Sequence, residues 1–473
     1  MTKKNGFPQG WVETTLGEVF KWGSGGTPLK SRPQYYGGDI PWLIIGDLND
    51  GVVTDSQTKI TKAGLDNSSA KWVEEGSILI AMYGSIGKLG IAGKRLTTNQ
   101  AIAFTKPEVV NPKYLFYYLL KERDNFHKQG IGVAQKNISQ TIIKAYPFIL
   151  APRPEQERIV AKLEETFTQL EVGVAELQNA KAQLKRYRAA VLKSAVEGEL
   201  TREWRESHHG EVEPAERLLA RILSERREKW EADELAKMQA KGKEPKNDKW
   251  KEKYKEPVLP NVDDLPEIPD GWLWTTTSQL GEITGGLTKH GSKRKSYPIE
   301  IPYLRVANVY ANELVLDEIK NINVKETELD RVLLAEGDLL VVEGNGSRNQ
   351  IGRVALWDRS IDPCAHQNHL IKVRFNPVEI GEFVLYWLLS NGGRSQIMLV
   401  ASSTSGLYTL SLSKVSALAV PLPPLEEQKR IIEKLERRLS VADKIEKELE
   451  ESLVRSERLR SAVLKSAFEG RLV

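Results

Sequence analysis

The chain contains one long segment twice, and this duplication restricts its possible folds more than any other feature of the sequence. AVLKSAVEGEL spans Ala190 to Leu200, and AVLKSAFEGRL spans Ala462 to Leu472, at an offset of 272 residues. At this offset, and without a gap, 20 of the 46 positions from Glu155 to Leu200 are identical to their equivalents. Repetition of this kind indicates a structural unit that is present twice.

Each copy of the segment has the pattern of a long helix. It begins after a proline pair, at Pro152 or Pro423, carries glutamates in its first turn, and ends near Gly198 or Gly470. Proline and acidic residues suit the start of a helix, and glycine suits its end. Apolar residues recur at three- and four-residue steps, as in the seam of a coiled coil. The predicted seam consists of Val160, Leu163, Phe167, Leu170, Val174, Leu177, Leu184 and Val191 in the first copy, and Ile432, Leu435, Leu439, Leu449, Leu453 and Val463 in the second.

A helix of this length, roughly 65 Å at 1.5 Å per residue, needs a partner for its apolar stripe. The obvious partner is the other copy, although Lys181 and Arg188 interrupt the first seam. The alternative is that each stripe packs only on its own domain.

Weaker similarity precedes each copy of the helix. PQGWVETTLGEV begins at Pro8, and PDGWLWTTTSQLGEI begins at Pro269. Short apolar runs at 78–81, 102–104, 339–342 and 370–373 are typical of strands, while 112–120 is typical of a helix. The predicted fold class is therefore α+β, with two globular α+β domains separated by two long antiparallel helices that form a coiled coil, and with a pseudo-twofold internal repeat.

The repeat also predicts where the domains begin and end. We expect a first globular domain over 1–153, a first long helix over 154–200, a charged and partly helical linker over 201–267, a second globular domain over 268–424 and a second long helix over 425–473. Within the linker, the pattern predicts a helix from Pro214 to Gln239, and the charged stretch 241–257 is typical of a solvated linker.

Composition limits the partners less sharply. The chain has 68 Lys and Arg against 64 Asp and Glu, a net charge of +4, which permits nucleic-acid binding without requiring it. The single cysteine, Cys364, excludes an internal disulfide, and neither a signal peptide nor a long apolar run is present. We therefore expect a cytoplasmic protein that is not bound to a membrane.

The combination of LPPLEEQKRI before the second helix and VLKSAFEG at its end resembles the specificity subunit of type I restriction–modification systems. This resemblance extends over essentially the whole chain. It implies two target-recognition domains, each recognising one half of a split sequence in double-stranded DNA, held apart by an antiparallel helix pair. It also implies that the chain binds two methyltransferase (modification) subunits, and that the assembly recruits endonuclease/translocase (restriction) subunits. Because the two domains differ in sequence, the two half-sites should differ as well.

Loops rich in Arg, Lys, Asn and Gln supply the candidate DNA contacts, because these side chains recognise base edges or phosphates. In the first domain they are Lys30, Arg32, Tyr83, Ser85, Lys88, Lys94, Arg95, Asn99, Gln100, Gln135, Lys136 and Asn137. In the second they are Lys289, His290, Lys293, Arg294, Lys295, Arg305, Asn345, Ser347, Arg348, Asn349, His366, Gln367, Asn368 and Tyr408.

The sequence predicts no catalysis and no cofactor in this chain. It has no Walker-type phosphate loop, no convincing glycine loop for S-adenosylmethionine and no Ser/His/Asp set. Cys364, His366 and His369 form an incomplete set of metal ligands, so no metal site is predicted. The resemblance implies that S-adenosylmethionine, ATP and Mg²⁺ act in the partner subunits.

Two other functions remain open at this point. The chain could be a two-headed coiled-coil adaptor whose domains bind protein or RNA. It could also be a nuclease, if acidic residues from distant segments came together to hold a metal.

Overall fold

The computed structural model describes residues 7–132, 136–208, 210–245, 247–288, 294–348, 350–404 and 407–473. Contacts divide the chain into two compact units. Unit 1 comprises 1–180 and 448–473, and unit 2 comprises 181–447. Each unit thus contains one globular domain, the start of one long helix and the end of the other.

The two repeated segments are continuous helices of 44 residues each, Arg153–Val196 and Leu425–Phe468. The glycine that follows each helix has a positive φ, 75° at Gly198 and 65° at Gly470. This left-handed conformation ends an α-helix, and glycine adopts it without steric cost. Each helix therefore stops before the predicted limits at 200 and 473, and Glu199–Thr201 forms a 3₁₀ turn instead.

In unit 1 the start of the first helix packs against the end of the second. Phe167 shares a hydrophobic core with Leu464 and Phe468. The guanidinium of Arg460 lies 4.7 Å from the centre of the Phe167 ring and pairs with Glu171 at 3.8 Å.

In unit 2 the end of the first helix packs against the start of the second. Val191 shares a core with Ile432 and Leu435. Arg188, which interrupts the seam, is paired across the helices with Asp443 at 2.6 Å and Glu446 at 2.9 Å. The two helices therefore run in opposite directions within each unit, as predicted, and the alternative that each stripe packs only on its own domain is wrong.

All the predicted seam residues are at least partly buried from solvent. Those that are buried are Val160, Leu163, Phe167, Leu184, Val191, Ile432 and Leu435, and those that are half-buried are Leu170, Val174, Leu177, Leu439, Leu449, Leu453 and Val463.

The globular domain of unit 1 is built on a five-stranded sheet. In spatial order its strands are Gly23–Ser24, Ile102–Thr105, Ile78–Ala81, Leu89–Ala92 and Val52–Val53. The remaining strands are Val12–Thr15, Tyr36–Leu43, Lys59–Ile60, Trp72–Val73, Leu96–Thr98 and Pro147–Leu150. The shorter helices are Leu16–Val19, Lys62–Asp66, Pro112–Lys121, Arg123–Gln129 and Gln140–Ala145, with 3₁₀ turns at Pro33–Tyr35 and Ile45–Asp47.

The globular domain of unit 2 is built on an equivalent four-stranded sheet. In spatial order its strands are Gly281–Gly285, Leu370–Phe375, Leu339–Val342 and Val354–Leu356. The remaining strands are Leu273–Thr276, Ile299–Leu304, Val309–Tyr310, Glu313–Leu314, Lys320–Val324, Gly344–Asn345, Ala365–His366, Ser402–Thr404, Leu407–Thr409 and Ala419–Leu422. The helices are Arg202–Ser207, Ala215–Gln239, Thr277–Leu280, Glu326–Val332, Ile380–Leu389, Asn391–Val400 and Leu412–Ser416, with 3₁₀ turns at Asp248–Lys253 and Val306–Asn308.

The central strands Ile78–Ala81 and Leu339–Val342 are covered on both faces. This explains why all their residues are apolar, without the alternation of polar and apolar residues that a half-exposed strand shows. In unit 1, Ile78 and Ile80 face the core that contains the long helices, while Leu79 and Ala81 face a second, smaller core. Leu339–Val342 divides its side chains between two cores in the same way in unit 2. The predicted strands at 78–81 and 339–342 are therefore confirmed.

The segment between the repeats packs onto the domain of unit 2. Leu218 and Ile222, on the helix Ala215–Gln239, belong to the main core of that unit. Most of the described residues in the stretch 241–257 are exposed, as expected of a solvated linker, but Trp250 is buried and stacks on Trp230 with ring centres 6.0 Å apart. The sequence pattern did not predict this contact, because Trp250 is surrounded by charged residues.

Among the described residues, no helix combines the length and the apolar character that crossing a membrane requires.

Candidate nucleic-acid interface

One edge of the central sheet in unit 1 gathers loops from distant parts of the chain. Ala81 pairs with Ile102, and Ile80 pairs with Leu89, so the segments that leave these strands emerge side by side. The N–H of Met82 donates to the carbonyl of Ala101 at 2.8 Å, and the N–H of Ile138 donates to the carbonyl of Met82 at 2.9 Å. We call residues 25–27, 82–88, 99–101 and 136–138 the first loop cluster.

Seven of the predicted DNA contacts lie in the first loop cluster: Tyr83, Ser85, Lys88, Asn99, Gln100, Lys136 and Asn137. Tyr83 and Asn137 form a β-bridge. The hydroxyl of Thr27 hydrogen-bonds the carboxamide of Gln100. Aromatic, amide and cationic side chains from three separate loops therefore lie at this edge, and Thr27 adds a hydroxyl from a fourth.

The other predicted contacts of the first domain lie elsewhere. Arg95 comes after the end of the strand Leu89–Ala92 that is farther from the first loop cluster. There its guanidinium stacks on Trp72 at 4.4 Å and pairs with Glu74 at 3.0 Å. Lys94, beside it, is exposed. Lys30 and Arg32 are exposed in the turn that leads to Pro33–Tyr35. Gln135 lies outside the described residues.

Unit 2 builds the same arrangement with the same backbone hydrogen bonds. The N–H of Glu343 donates to the carbonyl of His369 at 2.9 Å, and the N–H of Leu410 donates to the carbonyl of Glu343 at 2.7 Å. These two bonds match those of Met82 in unit 1. We call residues 286–288, 343–348, 350–353, 367–369 and 407–410 the second loop cluster.

A glycine is required at the same place in both clusters. A Cβ on Gly25 would overlap the carbonyl oxygen of Thr98, and a Cβ on Gly286 would overlap that of His366. The next residue in each case donates its N–H to that same carbonyl, Gly26 at 3.0 Å and Leu287 at 2.8 Å. The two clusters therefore share one backbone design and differ in side chains.

The second loop cluster contains six predicted contacts: Asn345, Ser347, Arg348, Gln367, Asn368 and Tyr408. Asn345 pairs with Tyr408 between two short strands. Arg305 lies beside the cluster, because the carbonyl of Leu304 accepts the N–H of Gln367 at 2.9 Å. Its guanidinium donates to the carbonyl of Glu318 at 2.8 Å.

Two predicted contacts in unit 2 are engaged inside the unit. Arg294 pairs with Glu328 at 3.2 Å, and only 11% of its side chain is exposed. His366 is buried, with its Nδ1 3.0 Å from the carbonyl oxygen of Val332, so its ring offers no atom to a ligand outside. Lys295 is exposed, and Lys289, His290, Lys293 and Asn349 lie outside the described residues.

Burial of His366 predicts an acid-sensitive unit 2. Burial, aided by the charge of Lys372, lowers the pKa of His366 from 6.5 to about 3. Below about pH 6.5 the unfolded chain takes up a proton that the folded chain refuses, so stability falls as the pH falls toward 3. The slope for one proton is about 1.4 kcal/mol per pH unit. The free energy of unfolding, measured with denaturant between pH 4 and 7, should therefore depend less steeply on pH in His366→Asn than in the unsubstituted chain. The difference between the two slopes should be about 1.4 kcal/mol per pH unit.

The matched control for this experiment is His127→Asn, which replaces an exposed histidine. It should leave the slope unchanged. Parallel pH curves for His366→Asn and the unsubstituted chain would contradict the prediction.

One cation of the second loop cluster is missing from the sequence-based set. Arg353 donates to the carbonyl of Val306 at 3.1 Å, just as the ammonium of Lys88 lies 3.4 Å from the carbonyl of Ile45 in unit 1. Its guanidinium also stacks over Tyr310 at 4.5 Å. Aligning GSIGK, which ends at Lys88, with RNQIGR, which ends at Arg353, would have identified it.

Comparison with known proteins yields a consistent set of similarities. A family model described as type I restriction modification DNA specificity domain matches residues 8–179 and 269–455. The chain is 25% identical to the type I restriction enzyme EcoKI specificity subunit of Escherichia coli, an alignment that covers 98% of this chain and 90% of the relative. It is 24% identical, with the same coverage, to the StySPI specificity subunit of Salmonella potsdam.

A solved structure from work on complex assembly and conformational transition of the type I R-M system has the same fold. It covers 98% of this chain, with a TM-score of 0.63 and 16% sequence identity.

Proposed function

The chain belongs to the type I restriction modification DNA specificity family, and from this premise we propose that it selects a bipartite DNA target with one half-site for each loop cluster. Recognition of DNA sequence on behalf of a type I restriction–modification system is the function of the family, and catalysis resides in the other subunits. The division of the target into two unlike half-sites is the proposal.

The observation that carries the proposal is the shared backbone of the two loop clusters. The first presents Tyr83, Asn99 and Gln100, and the equivalent edge of the second presents Asn345, Gln367 and Asn368. Asn and Gln can form bidentate hydrogen bonds with adenine, and their amide groups can bond other base edges. Similar frameworks with different side chains favour two half-sites of different sequence.

Exposed cations in the two clusters support the same function. Lys136 in the first cluster and Arg348 in the second are exposed. Such side chains can anchor phosphates, which fixes the position of a domain on the duplex without selecting bases. The clusters thus combine amides that can contact bases with cations that can contact phosphates.

We further propose that the length of the helix pair sets the distance between the half-sites. A helix of 44 residues extends about 66 Å. Symmetric DNA-binding proteins contact half-sites about 34 Å apart, so that both contacts fall on one side of the duplex. Neither helix contains a proline after its first turn, so nothing in the sequence favours a kink.

The proposed partners follow from the same premise. The chain acts with methyltransferase and restriction subunits of a type I system, and we propose two copies of the methyltransferase subunit, one for each repeated half. S-adenosylmethionine, ATP and Mg²⁺ would then act in those subunits and not in this chain.

The proposed function is tested by mapping methylated sites in DNA that has been exposed to this chain together with its methyltransferase partner. The expected result is two unlike short sequences separated by a spacer of fixed length. Methylation at one continuous sequence, or without sequence preference, would contradict the proposal.

A binding experiment separates this function from that of an adaptor for protein or RNA. Binding to duplex DNA should weaken by at least about 1,000-fold between 50 and 200 mM salt, because contacts with six or more phosphates release counterions. Binding that does not depend on salt, or that occurs only with RNA, would favour the adaptor.

A further inference from the structure

The second loop cluster contains an acid–histidine pair that the first lacks. Oε2 of Glu343 lies 3.0 Å from Nδ1 of His369, and 31% and 55% of the two side chains are exposed. The matching hydrogen bonds make Met82 and Ala101 their equivalents in unit 1, and both of these are buried, at 4% and 8%. The pair is thus a specific difference between two otherwise similar clusters.

The strands place this pair in the middle of the cluster. Glu343 directly follows Val342, His369 directly precedes Leu370, and Val342 pairs with Leu370 in the sheet. Asn345 lies two residues beyond Glu343 on one side, and Gln367 lies two residues before His369 on the other. Glu343 therefore lies between the segments 367–369 and 407–410 of the second loop cluster, to which its backbone is hydrogen-bonded.

A carboxylate at this place needs a particular partner. Glu343 is the only acidic residue in the second loop cluster. A carboxylate repels phosphates, and it also repels the acceptor atoms of guanine and thymine in the major groove. The N6 amino group of adenine is a donor there, but the acceptor N7 lies beside it on the same base edge. The exocyclic N4 amino group of cytosine is a donor without an adjacent acceptor on its own base, and acidic side chains accept from it.

Histidine gives the carboxylate a fixed orientation. Nδ1–H of His369 can donate to Oε2 of Glu343, and the structure gives Oε1 no hydrogen bond to any described residue. Oε1 is therefore available to accept a hydrogen bond from a ligand.

We propose that Glu343 recognises a cytosine in the half-site of unit 2 by accepting a hydrogen bond from its N4 amino group, and that His369 is the positioning residue for this contact. This inference rests on the proposed function, because it assumes that the second loop cluster faces DNA. It adds a base identity to one position of one half-site.

Glu343→Gln tests the proposal in the full chain with its methyltransferase partner. The readout is the methylation pattern on a library of duplexes in which every position of the target is randomised. Glutamine can pair bidentately with adenine. Glu343→Gln should therefore lower the preference for cytosine at one position by at least about tenfold and raise the preference for adenine there.

His369 has its own signature in this assay. His369→Ala should weaken the preference for cytosine at the same position, while His369→Asn, which retains a donor, should restore part of it. The control is Glu336→Gln, an exposed acidic residue at the other end of the strand Leu339–Val342, which should change nothing.

Each outcome bears on one claim. Retained recognition of the other half-site shows that a variant is folded. The assignment of Glu343 would be overturned if Glu343→Gln left the half-site of unit 2 unaltered. It would also be overturned if the unsubstituted chain recognised no cytosine in that half-site. An unsubstituted chain that shows no bipartite target would instead overturn the proposed function.

Discussion

Removing one heptad from each long helix is expected to shorten the spacer of the DNA target by about three base pairs. Seven residues of helix correspond to about 10 Å, and successive base pairs are about 3.4 Å apart. The ion pair between Glu171 and Arg460 indicates the register in unit 1, so Val174–Ala180 and Glu451–Glu457 are opposite heptads that can be removed together. Whole heptads preserve the apolar seam.

Methylation mapping measures this effect directly. Both half-site sequences should remain the same while the number of bases between them decreases. The control replaces the same two heptads with unrelated ones that keep apolar residues at Val174, Leu177 and Leu453, and its spacer should not change. If the chain with shortened helices still directed methylation to targets with the original spacer, the proposal that helix length sets the distance between the half-sites would be refuted.

Exchange of the first globular domain should replace one half-site completely and leave the other intact. The segment from Pro8 to Pro152 contributes its own sheet, its smaller core and the whole first loop cluster, while its main core also includes residues of both long helices, such as Phe167 and Phe468. None of the described residues of the second loop cluster comes from it. Replacing it with the equivalent segment of another specificity subunit should therefore change every base of one half-site.

The junction of this exchange must preserve one contact. Gln156 donates to the carbonyl of Ala151 at 2.7 Å and accepts the N–H of Asn111 at 2.8 Å, so it connects the helix to the domain. A donor domain with an asparagine–proline start to its helix, as at Asn111 and Pro112, should retain this contact.

The reciprocal exchange, from Pro269 to Pro424, should change the other half-site. This pair of experiments also assigns each half-site to its unit. Exchange that leaves the methylation pattern unaltered, or that alters both half-sites, would contradict independent recognition by the two domains.

The helices were predictable because their signals are local. A 3.6-residue period, prolines before the first turn and a glycine after the last are all visible in the sequence, and the structure places the left-handed glycines at Gly198 and Gly470. The duplication added a second, independent observation of the same pattern. Even Arg188, which interrupts the seam, finds its partners Asp443 and Glu446 across the helix pair.

The composition of the loop clusters was predictable, but their membership was not. Arg95 and Asn99 are four residues apart in the chain, yet the strand Leu96–Thr98 between them carries Arg95 to the opposite end of the domain. His366 and Gln367 are adjacent, yet the first is buried in unit 2 and the second belongs to the second loop cluster. Successive residues of a strand point to opposite faces, so neighbours in sequence need not share a surface.

The sequence by itself determined the architecture, which consists of a duplicated unit with a long helix after each globular domain and an apolar seam along each helix. These features depend on periodicity and on residues within a few turns of one another. Only the tertiary structure decided which loops meet, because the edge of each sheet joins segments more than 50 residues apart, such as Met82 with Ile138 and Glu343 with Leu410. Pairing between distant strands depends on the packing of the whole core, and no local pattern records it.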